Sequence, residues 1–206
     1  MSKKSALRKY QRHEPLLKRL ATLKSFTISE ARELGLSHPT LLALVSRRIV
    51  IRLERGIYAV SGSEEIGKEG DFSVANKKFS GQCVIGGLTA LSYYQLLDEI
   101  PSKIWLLVPP HIRTTDRKYR LLRTKRSLSI GVIKKSSFTI TSLERTLVDS
   151  LVFSPKIGEK VSKLAILRAI RNGLTTQQKI FEMAKKLELL PLLDREWQSI
   201  LAGLSK

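Results

Sequence analysis

Three scarcities set the first limits on this 206-residue chain. It has a single cysteine, Cys83, which cannot build an internal disulfide framework or a multi-cysteine zinc site. It has no run of 18 or more apolar residues, so no transmembrane helix is expected. Acidic residues are few: 18 Asp and Glu stand against 37 Lys and Arg, leaving a formal charge of +19. Aromatics are only 6% of the chain, but 42% hydrophobic and 27% charged residues make a folded composition rather than a disordered one. The opening Met1-Ser2-Lys3-Lys4 runs into a polar stretch with no apolar secretory core, so the expected location is cytoplasmic.

The positive charge is uneven. Residues 1–60 carry a net +9, 61–110 a net −2, 111–135 a net +8 and 136–206 a net +4. Two concentrated blocks make the field that a polyanion needs, and nucleic acid is the first such partner to consider. An anionic membrane is disfavoured, because no strongly amphipathic basic helix stands out.

A segment rich in Gly, Ser and charge, residues 61–71, reads as a linker. Ahead of it, helical periodicity covers His13–Leu23 through Leu16, Leu17, Leu20 and Leu23. Thr27 with Glu30 three residues later is a capping box, and Leu34-Gly35 closes that short helix. Ser37 or His38 opens a third helix with Pro39 in its first turn and Leu41, Leu42 and Val45 as its apolar stripe. Two strands over Val50–Val60 then flank a turn at Glu54–Gly56.

Helix, capped helix, turn, helix and basic hairpin follow in the order of a winged helix-turn-helix. In that arrangement the start of the second motif helix enters the major groove. The DNA-binding residues expected are Ser37, His38, Thr40, Arg47, Arg48, Arg52 and Arg55. Small hydroxyls at a helix start suit phosphate oxygens, and Arg beside a hairpin tip reaches the backbone or the minor groove. The basic arm of Lys3, Lys4, Arg8, Lys9 and Arg12 adds phosphate contacts in this reading. The competing reading is a three-helix unit used for protein contact.

Residues 72–206 are expected to form a mixed α/β domain with a helical tail. Strands are expected at Cys83–Ile85, Ile104–Val108, Leu128–Ile133 and Phe138–Ile140, with a helix at Leu88–Leu97. Thr141 with Glu144 reads as a second capping box. Tail helices are expected at about Val161–Arg171, Thr176–Leu190 and Leu193–Leu204. The second basic block, with Arg113, Arg117, Lys118, Arg120, Arg123, Lys125 and Arg126 around Tyr119, is a candidate nucleic-acid or partner contact. After Pro109-Pro110 the block reads as an exposed loop or a strand pair, and the alternative to a contact role is a solvated charged loop. Arg145 and Asp149, at i and i+4, form a surface ion pair or, if buried, organise the domain core.

Signals for an enzyme, a metal or another cofactor are missing, and none is expected. Gly86-Gly87 lacks the Gly-Lys-Ser/Thr of a P-loop, and His13, His38 and His111 are scattered. A metal-dependent nuclease built on Asp149 or Glu159 ranks low.

Three segments also resemble the AbiEi family of antitoxins. Residues 26–60 hold Gly35-Leu36-Ser37 and Arg55-Gly56-Ile57-Tyr58, residues 83–110 an apolar strand, an Ala-Leu helix and a strand ending in Val-Pro, and residues 140–151 a Ser-x-Glu-Arg-Thr-Leu-x-Asp element. Arg48-Ile49 departs from the Lys/Arg-Gly pair of many members. The resemblance implies a type IV toxin–antitoxin component. Its winged helix would bind double-stranded promoter repeats and repress its own operon, while the rest of the chain counters a cognate nucleotidyltransferase-like toxin. The alternative is a winged-helix transcriptional regulator whose C-terminal domain senses a ligand or dimerises, with no toxin.

Overall fold

The computed structural model describes residues 13–64 and 67–202. The basic arm before His13 lies outside them. The chain is α+β, and it divides into two compact units, Met1–Gly81 and Gln82–Lys206.

In the first unit, α1 (Glu14–Thr22) leads into a short strand β1 (Phe26–Thr27), then α2 (Ile28–Glu33) and α3 (His38–Ser46). A hairpin follows, β2 (Val50–Glu54) with β3 (Ile57–Val60), and β1 adds to it in the order β1-β3-β2. Local chemistry accounts for these boundaries. Thr27 Oγ1 accepts from Glu30 N at 3.2 Å, and Glu30 Oε2 accepts from Thr27 N at 2.8 Å, so the expected capping box forms. Helix α2 ends in a Schellman turn: Leu36 N donates to Ala31 O, Gly35 N to Arg32 O, and Gly35 takes φ +92°. Leu20, Phe26, Ala31, Leu36, Leu41, Leu44, Val50 and Tyr58 form the core of this unit.

The sequence reading set the domain boundary inside 61–71, and the structure moves it to Gly81. Helix α4 (Lys68–Lys78) belongs to the first unit and buries Phe72, Ser73, Val74 and Ala75. Ser73 Oγ lies 2.7 Å from the buried Ser25 Oγ, Lys78 Nζ donates to Glu54 Oε2 at 2.8 Å, and Lys77 pairs with Glu30. Glu30 therefore caps α2 and anchors α4 at once. Burial pushes its carboxyl up, but the Lys77 ammonium and the Thr27 amide and hydroxyl outweigh that and hold it below its ordinary value.

The second unit is built on a five-stranded sheet. Its strands are β4 (Val84–Ile85), β5 (Ile104–Val108), β6 (Tyr119–Arg123), β7 (Val132–Lys134) and β8 (Thr139–Thr141), in the order β6-β5-β4-β8-β7. The β5–β6 and β4–β8 pairs are parallel, and the others antiparallel. The helices are α5 (Gly87–Tyr93), α6 (Leu143–Val152), α7 (Ser154–Ile157), α8 (Glu159–Arg171), α9 (Gln177–Lys186) and α10 (Leu190–Leu201). Helix α6 is central and touches α5, α8, α9 and α10. Gly86-Gly87 has a packing role: a Cβ on Gly86 would overlap the Leu107 side chain, and one on Gly87 would come within 3.0 Å of the Trp105 ring.

Two expectations in this unit are corrected. Residues 119–123 inside the basic block form the edge strand β6, and the strand expected at Leu128–Ile133 is shorter and later, β7 at Val132–Lys134. The Thr141–Glu144 capping box does not form: Ser142 caps α6, its Oγ accepting from Arg145 N at 3.3 Å. Thr141 Oγ1 is engaged by Thr146 at 2.6 Å, and Glu144 accepts from Thr175 Oγ1 at 3.0 Å. Tertiary partners claim both side chains. The leucine-rich stretch 187–193 packs inward, with Leu187, Leu189 and Leu193 buried.

Candidate nucleic-acid interface

Helix α3 and the hairpin present most of the residues singled out in the first block. Ser37 is the N-cap of α3; its Oγ accepts from Thr40 N at 3.3 Å and lies 2.7 Å from Thr40 Oγ1. Capping fixes the hydroxyls at the mouth of a helix whose first-turn amides face outward. Ser37, His38, Arg47, Arg48, Arg52 and Arg55 are all exposed, and Thr40 is half-buried.

At 100° per residue, Leu41 and Leu44 turn inward and leave His38, Leu42 and Ser46 on the outer face. Leu42 was expected in the apolar stripe, and it is 50% exposed. Sequence reasoning missed it because two adjacent leucines look equivalent until the helix phase is fixed. An exposed Leu beside small Ala43 and Ser46 is the kind of surface that meets a thymine methyl.

Two features of the backbone aim the arginines. Helix α3 ends in a second Schellman turn, with Arg48 N donating to Val45 O at 2.9 Å and Ile49 N to Leu44 O at 3.1 Å. The left-handed position of that turn is Arg48 itself, at φ +59°. Glycine is the usual occupant, and its absence falls one residue earlier than the sequence comparison placed it. In the hairpin, the register shifts between Arg52 and Glu54, a bulge that turns the strand just before the tip. Gly56, at φ +80°, closes the tip beside Arg55, and Arg52 Nε donates to Glu54 O at 3.2 Å.

The second block is not one surface patch. Arg113 lies in the loop before β6, bonded to its own Pro110 and Ile112 carbonyls, and Arg117 is exposed in the same loop. Lys118 lies 5.9 Å from the Tyr119 ring centroid. Arg120 sits 5.8 Å from the Trp105 ring centroid, in a cleft that Lys156 also lines. Arg123, Lys125 and Arg126 line a different cleft together with Lys186, which sequence reasoning had no means to find, since Lys186 comes from a distant helix.

Beneath that second cleft lies a buried ion pair. Arg145 Nε donates to Asp149 Oδ2 at 3.1 Å, and both side chains are almost fully enclosed. Arg145 Nη1 donates to Ser127 O at 2.8 Å and to Ile130 O. Burial pushes Asp149 up, opposed by the Arg145 and Arg126 charges. The core-organising reading of this pair holds. Glu159 pairs with Lys163 instead, and among the described residues no cluster of three metal-ligating side chains occurs. Cys83 is buried, and burial pushes its thiol up to about 12, the state of an inert structural cysteine.

No protein-family model matches the chain, and no curated protein matches it in sequence. Among solved structures it is similar to the crystal structure of the Rv2827c protein from Mycobacterium tuberculosis. The two are 13% identical with a TM-score of 0.56, over 92% of this chain and 80% of that one. At that identity the likeness is one of fold alone.

Proposed function

We propose that residues 1–60 act as a winged helix-turn-helix that binds double-stranded DNA sequence-specifically, with α3 in the major groove and the β2–β3 hairpin as the wing. In this reading the chain is an antitoxin that represses its own operon and counters a cognate nucleotidyltransferase-like toxin. One observation carries the DNA half: the capped, exposed start of α3 and four exposed arginines, Arg47, Arg48, Arg52 and Arg55, lie on consecutive elements of one small unit. The net +9 of residues 1–60 supplies the field.

The antitoxin half rests on the resemblance to the AbiEi family. Its 140–151 element is a scaffold here: Ser142 caps α6, and Arg145 with Asp149 forms the buried pair. That element therefore supports a shared fold more than a shared chemistry.

The test is a fluorescence-anisotropy titration of the chain's own promoter DNA. Arg52→Ala and Arg55→Ala should each weaken binding by about 1 kcal/mol or more. Affinity should also fall steeply between 50 and 200 mM salt, by about 10³-fold if six phosphates are neutralised. Unchanged affinity in both variants removes the wing from the account. Co-expression with the neighbouring gene, scored as growth rescue, tests the antitoxin half. A regulator without a toxin is the second reading, and the cleft in the second unit favours it.

A further inference from the structure

The cleft of about 680 Å³ in the second unit is lined by Arg123, Lys125, Arg126 and Lys186 on its polar side. Its lining also has an apolar part, Ile130, Val152, Phe153 and Leu187. Elsewhere in this unit, cations are spent on internal partners: Arg145 on Asp149, Lys163 on Glu159, Arg168 on Asp98. The side chains of Lys125, Arg126 and Lys186 make no hydrogen bond or ion pair among the described residues, and Arg126 acts on the buried Asp149 only through its field.

Local negative charge does not cancel them. Glu188 lies on the rim, and the last turns of α6 and α9 contribute Val152 and Lys186 to the wall. Two helix carboxyl ends bring about half a negative charge each. Four cations still leave an excess of about two positive charges, which matches a phosphate monoester dianion at neutral pH.

The display is also preorganised. Arg145, fully buried, grips the carbonyls of Ser127 and Ile130, and its Nη2 has no partner among the described residues. Arg126 N donates to Thr124 Oγ1 at 3.0 Å and Ser129 N to Ser127 Oγ at 3.2 Å, so the cationic loop has little ordering left to lose on binding. The volume falls within the range of clefts that enclose small ligands.

We propose that this cleft binds a nucleoside phosphate, with Arg126 and Lys186 on the phosphate and the ring of Phe153 against the base. The charged rim alone would serve any anion; the apolar lining with an aromatic ring is what selects a nucleoside. The phosphate belongs either to a free nucleotide or to the end of a nucleic-acid strand, and both present the same chemistry. The site is independent of DNA binding by the first unit.

Isothermal titration calorimetry on the full chain at 150 mM salt tests this. The titrants are the four nucleoside triphosphates and monophosphates, inorganic pyrophosphate, and a single-stranded trinucleotide with and without a 5′-phosphate. At least one nucleoside phosphate should bind. Arg126→Ala with Lys186→Ala should weaken it tenfold or more, while Lys160→Ala with Lys179→Ala, an equal loss of charge outside the cleft, stays within twofold. Phe153→Leu should weaken the nucleotide and leave pyrophosphate unchanged. Urea midpoints matching the parent chain confirm that the variants are folded. Tighter binding of the mononucleotide assigns the site to free nucleotides, and tighter binding of the 5′-phosphorylated trinucleotide assigns it to strand ends. No binding at millimolar concentration overturns the proposal, as does equal loss in the two double variants or pyrophosphate binding as tight as any nucleotide.

Discussion

Replacing Arg48 by glycine should stabilise the first unit and weaken its hold on DNA. Arg48 occupies the left-handed position of the α3 Schellman turn at φ +59°. A side chain there costs about 1–2 kcal/mol against the right-handed alternative. Glycine removes that cost but gives back about 0.5–1 kcal/mol through the larger freedom of its unfolded chain. The net gain is about 0.5–1 kcal/mol, and for a unit of this size that is a rise of about 2–8 °C in Tm. Arg48→Ala keeps the strained backbone and removes only the guanidinium, so its stability should match the parent. If the arginine is kept at this cost for contact with phosphate, both variants should lose about 1 kcal/mol of promoter affinity, roughly fivefold. Differential scanning calorimetry and anisotropy on the same samples measure the two effects. A lower Tm for Arg48→Gly would refute the strain argument. Full DNA affinity in both variants would show that the arginine serves no contact.

Two other perturbations probe the buried charges. Arg145→Met should cost about 3–5 kcal/mol in urea unfolding, because it leaves Asp149 buried without a partner and two carbonyls without donors; pairing it with Asp149→Leu should recover part of that loss, and a cost below about 1 kcal/mol would contradict the pair's role. Glu30 is held below its ordinary carboxyl value in the folded state, so its stabilisation is complete above that ordinary value and is lost as pH falls through the folded one. Glu30→Gln should therefore flatten the acid limb of the stability–pH curve, and an unchanged acid limb would show that the Lys77 contact is not maintained in solution.

Features fixed by neighbouring residues were legible in the sequence. The Thr27–Glu30 box, the Gly35 turn, the Ser37 cap and the Gly56 hairpin each follow from side chains no more than four positions apart, and all four form. Features fixed by distant partners were not. Helix α4 mixes Phe72 and Ala75 with lysines and an asparagine, and what holds it is Ser25, Glu30 and Glu54, more than 20 positions away. The Thr141–Glu144 box looks like the first one in sequence, and it fails because Thr146 and Thr175 compete for the same oxygens. In the candidate interface, residue identities were legible but facing was not, as Leu42 shows. Lys186 joins the basic cleft only through the packing of α9, a fact no local pattern encodes.

The anchoring of α4 dictates how the molecule has to be dissected. A fragment ended at Val60 would strip the cover from Phe26 and Tyr58's sheet, abandon the enclosed hydroxyl of Ser25 and unpair Glu30 and Glu54 in a single cut. Such a truncate would fail in a binding assay through unfolding, whatever its arginines do. Trimming at Gly81 instead retains every one of those partners, so the smallest autonomous piece of the N-terminal half is about a third longer than the first sixty residues, which carry the proposed contacts.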